Sequence, residues 1–149
     1  MKSKEKQEAG VPTAKNNRLH KIYIAAQFES RFRIRTHAHR LWDYGYEIVS
    51  SWLNETAKPA GMNHQDFMKK LAWKDVAEIQ SCDLFIQDTF KMSERGGAAT
   101  EFGIALRAFQ TKQLWVVGPL RSVFHYVCDK HFDSWQQAIT ELKNLKKIS

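Results

Sequence analysis

The sequence predicts an α/β protein: a parallel sheet of four or five strands, doubly wound, with helices on both faces. Short apolar runs recur along the chain, at Lys21–Ala26, Glu47–Leu53, Asp83–Thr89 and Gln113–Pro119. Between them lie stripes of apolar residues at helical spacing. Strands alternating with helices imply a parallel sheet covered on both faces, with right-handed crossovers.

Taken in order, residues 1–19 form a polar extension with Gly10 and Pro12, expected to be disordered. The rest, 20–149, is expected to be one domain, a length that can bury a real core. Lys21–Ala26 is the first, buried strand, and Gln27-Phe28-Glu29-Ser30 the loop after it. Ile34, Ala38, Leu41 and Trp42 mark the first helix, which ends near Gly45. His37 and His39 stand two apart on it and point in different directions, so they are not a metal pair. Glu47–Leu53 is the second strand. A connection over 54–63, with Pro59 and Gly61, has the length of a binding loop. Trp52 at its mouth suits either core packing or stacking on a flat ligand.

The next helix spans about His64 to Cys82, with Met68, Leu71, Ala72, Val76 and Ile79 as its stripe. Asp75 falls inside that stripe. A carboxylate on an inward face is costly unless paired or functional. After the third strand comes Ser93-Glu94-Arg95-Gly96-Gly97, where the glycine pair allows close backbone approach to a ligand. A helix with Ala99, Phe102, Gly103, Leu106 and Phe109 at its spacing follows. Glu101 is expected in its first turn, where the macrodipole favours an ionised carboxylate. It reads there either as a capping acid or as a nucleophile. Gln113–Pro119 is strand four. Val123–Val127 is a short fifth strand or a packed loop. Trp135, Ala138, Ile139, Leu142 and Leu145 mark the final helix.

Composition narrows the partners. Net charge is +7, but residues 1–19 hold five Lys or Arg against two Glu, leaving +4 for the domain. Outside the tail the charge reads as dispersed, without a basic stripe interleaved with aromatics, which makes nucleic acid an unlikely partner. Cys82 and Cys128 have neither metal spacing nor a disulfide framework, and Cys82 is expected at a helix–strand junction. A reducing cytoplasm fits both. No run suits a membrane span or a signal peptide. Neither a dinucleotide fingerprint nor a P-loop occurs, and no metal or cofactor is expected. In such sheets ligands bind beyond the carboxyl ends of the strands. The loop after strand one, the Trp52 loop, and Gly96-Gly97 with Glu101 all converge there.

With these residues in hand, the chain resembles the nucleoside 2-deoxyribosyltransferase family and its nucleotide N-hydrolase relatives over roughly residues 21–119. Lys21-Ile22-Tyr23-Ile24-Ala25-Ala26 is similar to the family's opening strand. Asp75–Leu84 resembles the segment that brings an Asp to the base, and Gly97–Gly103 with Glu101-Phe102-Gly103 the glycine-rich turn and nucleophile signature. The resemblance implies a flavodoxin-like fold, strand order 2-1-3-4-5, and a covalent mechanism. Glu101 would attack the anomeric carbon, Asp75 would serve the leaving base, and Tyr23 would orient Glu101. Gln27, Phe28, Trp52, Arg95, Gly96, Gly97 and His125 are the expected substrate contacts. It further implies a homodimer or larger assembly, with the loop Leu120–Tyr126 reaching a neighbour. The sequence departs from the family's pattern in two places. Arg95 stands six positions before the nucleophile, where some members carry a polar or acidic residue. Gln27-Phe28-Glu29-Ser30-Arg31 replaces a Gly/Ser-rich phosphate loop. Arg31, Arg95 and Arg121 are candidates for phosphate contacts or ordinary surface arginines. The substrate is a small nucleoside or nucleotide. The rival function is a module that binds such a ligand without turning it over.

Overall fold

A computed structural model describes residues 18–148. Five strands form one all-parallel sheet in the order β2-β1-β3-β4-β5. They are β1 Lys21–Ala25, β2 Glu47–Ile48, β3 Leu84–Asp88, β4 Gln113–Val117 and β5 Lys130–Phe132. Four helices connect and flank them: α1 Arg31–Asp43, α2 His64–Ser81, α3 Gly97–Arg107 and α4 Trp135–Ile148. The predicted class and strand order are both observed. β3 and β4 are buried at every position, because central strands of a covered sheet face a helix on each side. Asp83 fastens the start of the sheet, its carboxylate accepting from the backbone N–H of Lys21 at 2.8 Å and of His20 at 3.1 Å.

The second strand is shorter than its sequence suggests. Pairing with β1 stops at Ile48, and Ser51–Asn54 winds into a 3-10 turn. Side chains replace the missing ladder. Ser50 Oγ accepts from Ile24 N–H at 3.2 Å, and Trp52 Nε1 donates to the Ile24 carbonyl at 2.7 Å. On the β2 side, the buried backbone of Ile24 is thus satisfied beyond the end of the ladder.

Other elements differ in which face they bury. Val123–Val127 is a 3-10 turn, not a strand, and the fifth strand lies beyond it at Lys130–Phe132. α1 buries Ile34, Ala38 and Leu41, but Trp42 is 63% exposed. It ends where Gly45 takes a φ of +90°, with Tyr46 N–H bonded back to the Leu41 carbonyl. α2 starts under an Asn63 cap, whose Oδ1 accepts from Asp66 N–H at 2.8 Å. Of its expected stripe only Ile79 is buried; Leu71 and Val76 are half-buried, and Met68 and Ala72 are exposed, as is Trp73 at 72%. Cys82 caps the C-terminus of α2 in a buried position. Lys112, also buried, donates to the Gln80 and Cys82 carbonyls there. In α3 the buried face is Ala98, Phe102 and Ala105, while Ala99 and Gly103 are exposed. The expected N-terminal extension, apart from Arg18 and Leu19, lies outside the described residues.

Candidate functional site

The parallel sheet brings the loops after β1, β2 and β3 to one end, and a cleft of about 300 Å³ opens there. Three loops and two helices wall it. The loop after β1 contributes Gln27, Phe28 and Glu29, and the turn after β2 contributes Trp52 and Glu55. α2 contributes Leu71 and Asp75. The β3–α3 loop and the first turns of α3 contribute Ser93, Arg95, Gly97, Ala98 and Glu101.

Gly96 takes a φ of +77° and caps α3, a conformation open to glycine at little cost. That turn places the helix start at Gly97, so the first turn holds no acid and Glu101 falls in the second. The expectation that Glu101 lies in the first turn is therefore corrected, and with it the capping reading. Its carboxyl is held instead by Tyr23, whose hydroxyl donates to Oε1 at 2.9 Å. Tyr23 is fully buried in β1 and stacks on Phe85 at 5.7 Å. The stacking fixes the ring and, through it, the carboxyl. Burial drives the Glu101 carboxyl up to about 8, opposed by the Tyr23 hydrogen bond and assisted by the charges of Asp75, Glu55 and Glu78. Burial also raises the Tyr23 phenol far above its usual range, with Glu101 adding to the effect.

Asp75 reaches the same cleft from α2. Its carboxyl is pushed up to about 6, first by burial and then by Glu55. Its Oδ1 is buried and has no hydrogen-bond partner among the described residues. A buried, unpartnered polar atom costs free energy that a ligand can recover. Beside it Lys74 Nζ pairs with Glu55 Oε1 at 3.1 Å.

The remaining candidates separate. Gln27, Phe28, Trp52, Arg95 and Gly97 line the cleft, and Gly96 shapes it through the backbone. Trp52 is 5% exposed, so it is wall as much as platform. His125 does not line the cleft. It is 2% exposed, packs edge-on against Phe102 at 5.3 Å, and its Nδ1 accepts from Arg121 N–H at 3.0 Å. This role is one of holding the loop. Two of the candidate phosphate arginines do not line the cleft. Arg121 donates to the Thr89 and Phe90 carbonyls, and Arg31 lies over the rings of Phe28 and Phe32 at 4.4 and 4.6 Å.

Sequence reasoning missed Glu55, Glu29, Leu71 and Ser93 as cleft residues. Glu55 carried a signal, as the sole acid of the 54–63 connection. It also missed Asp88 at the end of β3. This fully buried carboxylate takes both forks of Arg33, at 2.8 and 3.0 Å, and Trp135 Nε1 at 2.7 Å. His37 stacks on the same Trp135 at 4.8 Å, so its partner is a ring. Burial, then Arg33, lowers its imidazolium below the usual range. Asp88 ties the sheet to α1 and α4 rather than lining the cleft.

No family model and no curated protein matches the chain. Solved structures do. The 2-deoxyribosyltransferase of Bacillus psychrosaccharolyticus is 17% identical with a TM-score of 0.67, over 82% of this chain and 95% of that one. A conserved protein from Enterococcus faecalis V583 is 14% identical with a TM-score of 0.62, over 85% of this chain and 98% of that one. The CMP N-glycosidase of Clostridium botulinum is 19% identical with a TM-score of 0.53, over 83% of this chain and 98% of that one. At these identities the likeness is one of architecture: the chain has a flavodoxin-like α/β fold, and it shares that fold with a deoxyribosyltransferase and a nucleotide N-glycosidase.

Proposed function

We propose that the protein cleaves or exchanges the N-glycosidic bond of a nucleoside or nucleotide, through a glycosyl ester on Glu101. One observation carries the reading: Tyr23 holds Glu101 at 2.9 Å in a cleft that also contains Asp75, whose buried Oδ1 has no partner among the described residues. Two carboxyls flanking one reaction centre can divide the work of nucleophile and acid. Glu101 attacks the anomeric carbon and forms a C–O bond as the C–N bond breaks. The electron pair leaves with the base, which takes a proton from Asp75. In the second step water, or a second base, attacks the same carbon and returns Glu101. Asp75 recovers the proton from that nucleophile. Gln27, Phe28, Trp52, Arg95, Gly96 and Gly97 bind the substrate in this reading. The fold shared with two enzymes of this chemistry supports it. We assign the protein to a reducing compartment such as the cytoplasm, in keeping with its two free cysteines.

The test is a panel of nucleosides and nucleotides assayed for free base, followed by acid quench and mass spectrometry of the Glu101 peptide. Base release with a sugar adduct on Glu101 supports the reading. Base release without any adduct removes the covalent step. A second reading, a binding module, is favoured by the raised Glu101 carboxyl, since a neutral acid makes a good hydrogen-bond donor. Tight binding with no release from any compound of the panel would establish it.

A further inference from the structure

One surface lies outside the cleft and takes no part in its chemistry. The segment Arg31-Phe32-Arg33-Ile34-Arg35-Thr36-His37-Ala38-His39-Arg40 carries four arginines and two histidines without an acid. The fold sorts them. Ile34, Ala38 and Leu41 face the core, and Arg33 is bound to Asp88. Arg31, Arg35, His39 and Trp42 stand at helical spacing and share the outer face. Arg35, His39 and Trp42 line a groove of about 340 Å³, whose far wall is the Ser50–Asn54 segment. Phe32 is 64% exposed and Trp42 63%. The guanidinium groups of Arg31 and Arg35 lie against Phe32 at 4.6 and 5.3 Å, and Arg35 is anchored by Nε to the Leu53 carbonyl at 2.6 Å. The expectation that no basic stripe interleaved with aromatics lies outside the tail is corrected here: one runs along α1.

We infer that the outer face of α1 is a docking ridge for single-stranded nucleic acid, with phosphates on Arg31 and Arg35 and bases stacked on Phe32 and Trp42. Charge and shape select this occupant. Alternating guanidinium groups and exposed rings match a polyanion whose base faces are open, as they are in a single strand and not in a duplex. From Arg31 to Trp42 the helix rises about 16 Å, enough for a few nucleotides. A second copy docked face to face would set like charges against each other. A membrane would need a broad apolar face, and that of α1 is turned into the core. The ridge also leads somewhere. Arg31 lies over Phe28, which lines the cleft, and the Ser51–Asn54 turn separates groove from cleft. A strand on α1 therefore runs to the mouth of the site. Docking itself requires no turnover, so this inference stands or falls apart from the base-release reading.

The test is fluorescence anisotropy of the full chain with a labelled oligothymidylate of about 10 nucleotides, over a range of salt. Binding should weaken with salt. Arg31→Gln and Arg35→Gln should each reduce the slope of log affinity on log salt by about 0.7. Phe32→Ala and Trp42→Ala should weaken binding about 5- to 150-fold each while leaving that slope unchanged. Phe32 and Trp42 are exposed and Arg31 and Arg35 half-buried, and circular dichroism checks the fold of each variant. The inference is overturned if the oligonucleotide does not bind at low salt, or if the four changes leave binding intact. It is equally overturned if replacing Lys2, Lys4, Lys6 and Lys15 with Gln abolishes binding alone, since the tail would then be the site. Tighter binding of a duplex, capture by phosphatidylserine vesicles in place of the oligonucleotide, or dissociation of an oligomer on Trp42→Ala would also overturn it.

Discussion

Glu101 and Asp75 are two carboxyls raised by burial in one cleft, to about 8 and about 6. The productive state needs Glu101 ionised and Asp75 protonated, the reverse of their order of proton loss. It is one form of the singly protonated pair, and that pair is most populated between about 6 and 8. Base release should therefore follow a bell-shaped pH profile with limbs near those values. Asp75→Asn should lower the rate and remove the falling limb, leaving a rise through the Glu101 ionisation; a pH–rate series checks this. Stability has the opposite sense to the usual acid. A raised folded pKa means the native state holds protons that the unfolded chain releases, so stability falls as pH rises from about 4.5 toward 8. Glu101→Gln should flatten that fall in thermal melts while abolishing base release. Both residues were legible in the sequence as candidates. The turn in which Glu101 lies was not, because two adjacent glycines leave the helix start open and only the positive φ of Gly96 decides it.

The elements most readable in the sequence were β1, β3 and β4, whose apolar runs reflect burial on both sides. β2 was over-read because Val49 and Trp52 favour strands by propensity, and tertiary hydrogen bonds to Ile24 won. Ser50→Ala should leave the Ile24 N–H unmet beneath the cleft and cost about 1–3 kcal/mol, measured by urea unfolding. Gly118, just past β4, has a φ of +112°, and an added Cβ would stand 2.7 Å from Thr89 Oγ1. Gly118→Ala should therefore destabilise by at least about 1–3 kcal/mol from backbone strain alone, and the same assay reads it.

At the scale of the molecule, apolar surface among the described residues stays uncovered in places besides α1. Val123, Phe124, Tyr126 and Val127 are exposed, and a groove of about 590 Å³ runs between α3 and this turn. Trp73 and Met68 are exposed on α2. Exposed apolar surface of this kind suits an interface, and we propose that the expected homo-oligomer forms there. Scattering should give a mass above one chain, and Phe124→Asp should reduce it to one; a wild type that is a monomer and fully active refutes the assembly. A single sequence shows such a face poorly, since apolar residues that cover a neighbour carry the same helical period as those that cover the core. The five tryptophans divide along these lines: Trp52, Trp115 and Trp135 are buried, and Trp42 and Trp73 are exposed. The chain thus contains its own optical probes. Iodide in solution should extinguish the red-shifted emission of Trp42, and that of Trp73 wherever assembly leaves it open, and spare the blue emission of the other three. A nucleoside entering the cleft would dim Trp52, whereas a strand lying along α1 would shield Trp42 from the iodide, so the two events can be told apart by colour in one unlabelled sample.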